Sequence, residues 1–264
     1  MYAASVTDPL GRPIKAAYGI VRSGGVKTAV MEMSAASGLP LLLPDELNPW
    51  ITSTYGTGEM ISDALNRGCR KFLVGIGGSA TNDAGTGMLS ALGVRFLDSS
   101  GQRLKGCGRD LESIARIDMS SLMPAARESE FIVACDVNTP FCGPDGAARV
   151  FAPQKGANPQ TAEALDRGMR SFARVIAGQF QTDIVPLSGA GAAGGLGGAF
   201  KAFLNARLTA GIEMVLDAIA FDSLLEGASL VITGEGRIDA QTAAGKTAAG
   251  VLRHAARKGI PVIA

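Results

Sequence analysis

The densest chemistry in this chain lies in KFLVGIGGSATNDAGTG, residues 71–87, where an apolar run passes directly into glycines, small hydroxyls and one acid. Gly75, Gly77 and Gly78 let the backbone come close to an anion, and Ser79 and Thr81 add hydroxyl donors. A helix after them would turn its positive end toward a phosphate or carboxylate. Asp83 is placed to hold a magnesium ion or to orient a substrate hydroxyl. The same residues also make a tight strand-to-helix turn capped by Asn82 or Asp83, and the glycines alone do not choose between the readings.

A second group, LVITGEGRIDAQTAAGK at residues 230–246, again sets charged and amide side chains just after a strand, where open α/β sheets bind ligands. Arg237 and Lys246 are suited to neutralising a transferring phosphoryl group. Glu235 or Asp239 is suited to taking a metal ion or accepting a hydroxyl proton, with Gln241 and Thr242 as polar neighbours. The alternative is a salt-bridged helix start capped by Asp239.

In a third stretch, residues 134–157, Asp136 leaves a strand, and Asn138 and Lys155 join it as candidate ligands. Cys135 and Cys142 have no histidine nearby to activate a thiolate and read as packing residues. His254, beside Arg253 on a helix, reads as a surface residue. Thr52, Ser53, Thr54, Tyr55, Thr57 and Glu59 gather at a helix start, for hydroxyl recognition or for capping. The glycine-dense segment 188–198 either admits a substrate or lets helices pack closely.

The elements that must position these residues alternate between β and α. Residues 14–22 and 27–33 flank Ser23-Gly24-Gly25 as a hairpin. Strands are expected at 71–76, 94–97, 131–135 and 229–233, with a last one after Pro261. Helices are expected at 57–67, 85–92, 159–179, 199–204, 212–220 and 242–258.

Composition narrows the function further. Thirty-five of 264 residues are glycine, about twice the ordinary share, so much backbone must turn tightly or approach something closely. The 25 basic and 24 acidic side chains nearly cancel, which argues against a nucleic acid or an anionic membrane as partner. No apolar run reaches the length of a membrane span, and the start lacks a secretory leader. Four cysteines without CxxC spacing and a single histidine fit no zinc site and point to a reduced, cytoplasmic enzyme. The chain closes on an uncovered strand and opens abruptly, so both ends read as interior positions of something larger.

Taken in order, TSTYGTGE, GIGGSATNDAGTGMLSALG, ACDV, PQKGA, GAAGGLGGAF and VITGEGRIDAQTAAGK resemble the bacterial glycerate kinase family, which phosphorylates D-glycerate with ATP. The resemblance covers essentially the whole chain. It implies an α/β fold: a mixed α/β inserted domain, mainly residues 1–228, and part of a flavodoxin-like parallel-sheet domain to which residues 229–264 begin the return. It also implies ATP and Mg2+ as cofactors and D-glycerate as substrate. In that setting Asp83, Asp136, Arg237 and Lys246 become the candidate catalytic residues. Gly77, Gly78, Ser79, Thr81, Asn138, Lys155, Glu235, Asp239, Gln241 and Thr242 would bind substrate or nucleotide, and Asp83 and Glu235 the metal.

The DSFK-like and DGGEGT-like strings of the family do not occur here, nor do its C-terminal elements. The expectation is therefore a truncated chain of impaired activity, or a non-catalytic remnant that binds glycerate or nucleotide. Ala84 stands where the family commonly has a second glycine, which matters if position 84 needs a positive φ. Asn138-Thr139 stands where an Asx-Asn pair is usual.

Overall fold

The computed structural model describes residues 1–234 and 247–263. They form two compact units, Met1–Leu208 and Thr209–Ala264, whereas the sequence sets the domain boundary at 228/229.

The first unit is built on a six-stranded mixed sheet. Strands β1 (Tyr2–Thr7), β2 (Pro13–Ser23) and β3 (Val26–Glu32) are antiparallel neighbours. The β2–β3 hairpin turns on Gly24 and Gly25, at φ 56° and 82°, the backbone that a two-residue turn between right-twisted strands requires. Strand β4 (Lys71–Gly75) then runs parallel to β3, so the chain needs a crossover. Helix α1 (Tyr55–Asn66) supplies it, burying Met60, Ile61, Ala64 and Leu65 at helical spacing. Side chains at Gly56 and Gly58 would strike the carbonyls of Thr7 and Met88, so these glycines set how closely α1 approaches β1 and the next helix, α2 (Thr86–Ala91).

Strands β5 (Arg95–Leu97) and β6 (Arg116–Asp118) form a separate antiparallel pair. Strand β7 (Glu130–Ala134) returns to the main sheet parallel to β4. Helix α3 (Pro159–Phe180) starts on Asn158, whose side chain accepts a hydrogen bond from the Thr161 amide at 2.8 Å, and buries Leu165, Met169, Phe172 and Ile176. Helix α4 (Ala192–Leu204) follows, and β8 (Arg207–Thr209) completes the sheet order β1-β2-β3-β4-β7-β8. The core between helices and sheet is joined by Phe72 stacked on Phe131 at 4.6 Å, with Phe200 5.8 Å from Phe131.

The second unit contains α5 (Gly211–Ala218), α6 (Phe221–Leu224), β9 (Val231–Ile232), α7 (Thr247–Arg257) and β10 (Val262–Ile263). Strands β9 and β10 pair in parallel, which accounts for a helix between them. Sequence periodicity extends β9 over 229–233, but only its two central residues ladder with β10. No helix among the described residues is long and apolar enough to cross a membrane.

Candidate active site

Because β4 and β7 pair in parallel with Gly75 opposite Ala134, their continuations leave the sheet side by side. Ile76, Gly77, Gly78 and Ser79 from one, and Cys135, Asp136 and Val137 from the other, line a cavity of about 220 Å3. Phe151, Gln154, Lys155, Ala192 and Ala193 close its walls. This is the carboxyl edge of parallel strands, the usual ligand position in open α/β sheets. Gly78 has φ 70°, a conformation that side-chain-bearing residues seldom adopt, and a Cβ at Gly77 would meet nothing within 4 Å. Of the residues singled out in the sequence, the structure brings Gly77, Gly78, Ser79, Asp136 and Lys155 together around this one cavity.

Lys155 is only 1% exposed. Its Nζ donates to Ser79 Oγ at 2.6 Å and to the Thr81 carbonyl at 2.7 Å. Burial pushes the ammonium down to about 7, against an upward pull from the Asp83 carboxylate. Thr81 itself is fully buried behind this contact, and its hydroxyl and the Asn82 side-chain oxygen have no hydrogen-bond partner among the described residues.

Asp83 takes a different place from the one its chemistry suggested. It is fully buried and absent from the cavity lining. Its Oδ2 accepts hydrogen bonds from the Thr54 amide at 2.7 Å, the Thr54 hydroxyl at 2.8 Å and the Gly87 amide at 3.2 Å, while Oδ1 accepts from the Gly85 amide at 3.1 Å. Burial raises its pKa, and these four donors pull it down. Of the two readings of residues 71–87, Asp83 follows the structural one, although the N-cap of α2 is Gly85 and not Asn82 or Asp83, while Gly77 and Gly78 keep an open backbone at the cavity. With every carboxylate oxygen engaged, Asp83 does not fit a magnesium ligand. No group of three metal-ligating side chains occurs among the described residues.

The hydroxyl-rich segment before α1 is spent on scaffold contacts. Thr52 donates to the Ala80 carbonyl at 2.9 Å, Ser53 to the Gly106 carbonyl at 2.7 Å, and Thr57 shares a hydrogen bond with Ser37 at 2.8 Å. Glu59 accepts from the amide and hydroxyl of Thr7 at 2.7 and 2.8 Å. Asn138 stands one residue beyond the lining and accepts from the Ser188 hydroxyl at 2.7 Å.

The glycine-dense segment packs closely against the 81–85 loop. Ala193, Gly194 and Gly195 are left-handed at φ 53°, 67° and 93°, and the Gly194 carbonyl accepts from the Ala84 amide at 3.0 Å. A Cβ at Gly194 would overlap the Thr81 carbonyl. Position 84 does need a positive φ, and Ala84 adopts 50°.

Two further expectations change. His254 is buried, 4% exposed, because its ring nitrogens lie 2.7 Å from Asp222 and 2.8 Å from Glu213. Those carboxylates, Glu213 foremost, raise its pKa above the ordinary value. Cys142 is buried as expected of a packing residue, whereas Cys135 is half-buried and lines the cavity. Gln154 and Phe151 were missed; their closeness to Lys155 in sequence was the available signal. Glu32 is not among the cavity lining; its side chain occupies the space a Cβ at Gly75 would need, a contact set by the β3–β4 register. Glu235, Arg237, Asp239, Gln241, Thr242 and Lys246 lie outside the described residues.

Parallel strands that open onto a small cavity lined by glycine backbone, a carboxylate and a buried ammonium define an α/β enzyme suited to a small anionic substrate. A family model described as the glycerate kinase family matches residues 1–264. The glycerate kinase of Halalkalibacterium halodurans is 48% identical over 259 residues, 98% of this chain and 68% of its own length. The glycerate 2-kinase of Escherichia coli K12 is 45% identical over 260 residues, 98% of this chain and 68% of that protein. A Salmonella typhimurium LT2 crystal structure assigned to glycerate kinase 2 is 46% identical, with a TM-score of 0.92 over 99% of this chain and 69% of that one. This chain belongs to the glycerate kinase family.

Proposed function

We propose that this chain transfers the γ-phosphoryl group of ATP to D-glycerate in the cavity at the carboxyl ends of β4 and β7. The observation that carries the reading is the convergence of Gly77, Gly78 and Asp136 on one cavity from strands far apart in sequence. The glycerate hydroxyl oxygen attacks phosphorus, the bond to the β–γ bridging oxygen breaks, and ADP leaves. Asp136 accepts the hydroxyl proton. The Gly77–Gly78 backbone approaches the anionic groups closely, where fixed dipoles stabilise charge spread over the transferring group.

Arg237 and Lys246 belong to the same proposal as phosphate stabilisers, with Glu235, Asp239, Gln241 and Thr242 as further ligands. ATP enters as its magnesium complex. Among the described residues no group of three metal-ligating side chains occurs that would hold the ion. The 2-hydroxyl is the proposed acceptor, supported by the name of the Escherichia coli relative. The parallel pairing of β9 with β10 around α7 supports reading residues 229–264 as part of a flavodoxin-like parallel-sheet domain. Free thiols at Cys69, Cys107, Cys135 and Cys142 support a cytoplasmic location.

The test is coupled ADP release with D-glycerate, with the product assigned as 2- or 3-phosphoglycerate by phosphorus NMR. Turnover supports the proposal. Binding of glycerate and ATP without turnover would instead favour a non-catalytic binding protein.

A further inference from the structure

We propose that Lys155 is the oxyanion receptor of the cavity, taking a carboxylate or phosphoryl oxygen of the substrates on the one ammonium proton the described residues leave unused. This rests on reading the cavity as the glycerate and ATP site, and it adds a residue role that strand topology alone does not supply. An ammonium carries three donors. Ser79 Oγ and the Thr81 carbonyl take two, both neutral oxygens, and no carboxylate pairs with Lys155 among the described residues. The side chain is 1% exposed yet forms part of the cavity wall.

A buried cation without a contacting anion is costly, and a fold keeps one where a ligand completes it. The Ser79 and Thr81 contacts fix the amine in the wall of the cavity that Gly77 and Gly78 also line.

A second consequence follows from the charge balance. The charge that bears on Lys155 is Asp83, buried behind it; Asp136 and the Cys135 thiol line the same cavity. With its pKa near 7, the amine is part neutral in the empty cavity slightly above neutrality, and an arriving anion makes it fully charged. Binding therefore takes up a proton.

Calorimetric titration of the whole chain at pH 7.5, in two buffers of different ionisation enthalpy, with D-glycerate and separately with ATP, reads this out. The expected result is proton uptake with at least one of the two ligands. For that ligand, uptake should vanish and affinity fall roughly tenfold or more in Lys155→Met. Lys155→Arg, permanently charged, should bind without uptake. Loss confined to glycerate identifies the carboxylate as the oxyanion, and loss confined to ATP the phosphoryl group.

The proposal is overturned if wild type takes up no proton with either ligand, or if folded Lys155→Met binds both as wild type does. Should Lys155→Met not fold, wild-type uptake and the Lys155→Arg titration decide alone. Turnover with wild-type KM for both D-glycerate and ATP in Lys155→Met sinks this proposal and leaves the kinase reading standing, whereas a wild-type chain that binds neither ligand sinks both.

Discussion

The carboxylate of Asp83 receives the amide and the hydroxyl of Thr54 at 2.7 and 2.8 Å, and so ties the loop after β4 to the start of α1. The Thr54 hydroxyl in turn accepts from the Met88 amide at 2.9 Å, which draws in α2. One buried acid thereby holds three elements behind the cavity.

Replacing Asp83 should accordingly act on stability. Asp83→Ala strands four donors in a dry interior, and each unsatisfied group costs about 1–3 kcal/mol. We expect a loss of about 3 kcal/mol or more in urea unfolding, with the folded fraction keeping measurable affinity for ligand. Normal stability with abolished turnover would return Asp83 to a catalytic role.

Gly77 and Gly194 should separate binding from scaffold. Gly77→Ala places a methyl in open space, so stability should stay within about 0.5 kcal/mol of wild type while the KM for substrate rises. Gly194→Ala forces a Cβ onto the Thr81 carbonyl at φ 67° and should cost about 2–4 kcal/mol. Denaturant midpoints together with steady-state kinetics for both variants check this. Equal midpoints for the two would undo the assignment.

Asp136 is the proposed proton acceptor. Asp136→Asn should lower kcat by about 10²–10⁴ while the folded variant still binds D-glycerate. Retention of kcat would move the base to another residue.

His254 gives the second unit a pH signature. Its pKa is raised above 6.5 by Glu213 and Asp222, so its contribution is complete below pH 6.5 and fades as pH climbs through the folded value. The stability gap between wild type and His254→Gln, on the order of 1–3 kcal/mol at pH 6, should narrow toward pH 9. Denaturant unfolding across that range measures it, and a gap independent of pH would show that the imidazole is held neutral.

How much of this was legible beforehand depended on the range of the interaction. The β2–β3 hairpin and α3 were readable because Gly24-Gly25 and the Asn158-Pro159 start are local signals. Gly77 and Asp136 were readable as residues of the sheet's carboxyl edge because they closely follow strand ends, whereas Lys155 was singled out only as a charge in the loop region after β7. Asp83 and His254 were not, because an acid buried by Thr54, Gly85 and Gly87, or a histidine buried by Glu213 and Asp222, looks in sequence like any polar residue near a helix. Neither were the left-handed positions 193–195, whose need for small residues comes from Thr81 and Met169 across the fold.

The hydrogen bond from the Ala84 amide to the Gly194 carbonyl also bears on how the protein is made. A nascent chain exposes residues 77–85 well before residue 194 has been polymerised. At about 5–20 residues per second, that interval lasts roughly 5–20 seconds. Through it the emerging segment waits without its partner, so the cavity wall that residues 77–79 share with Ala192 and Ala193 is a late product of translation.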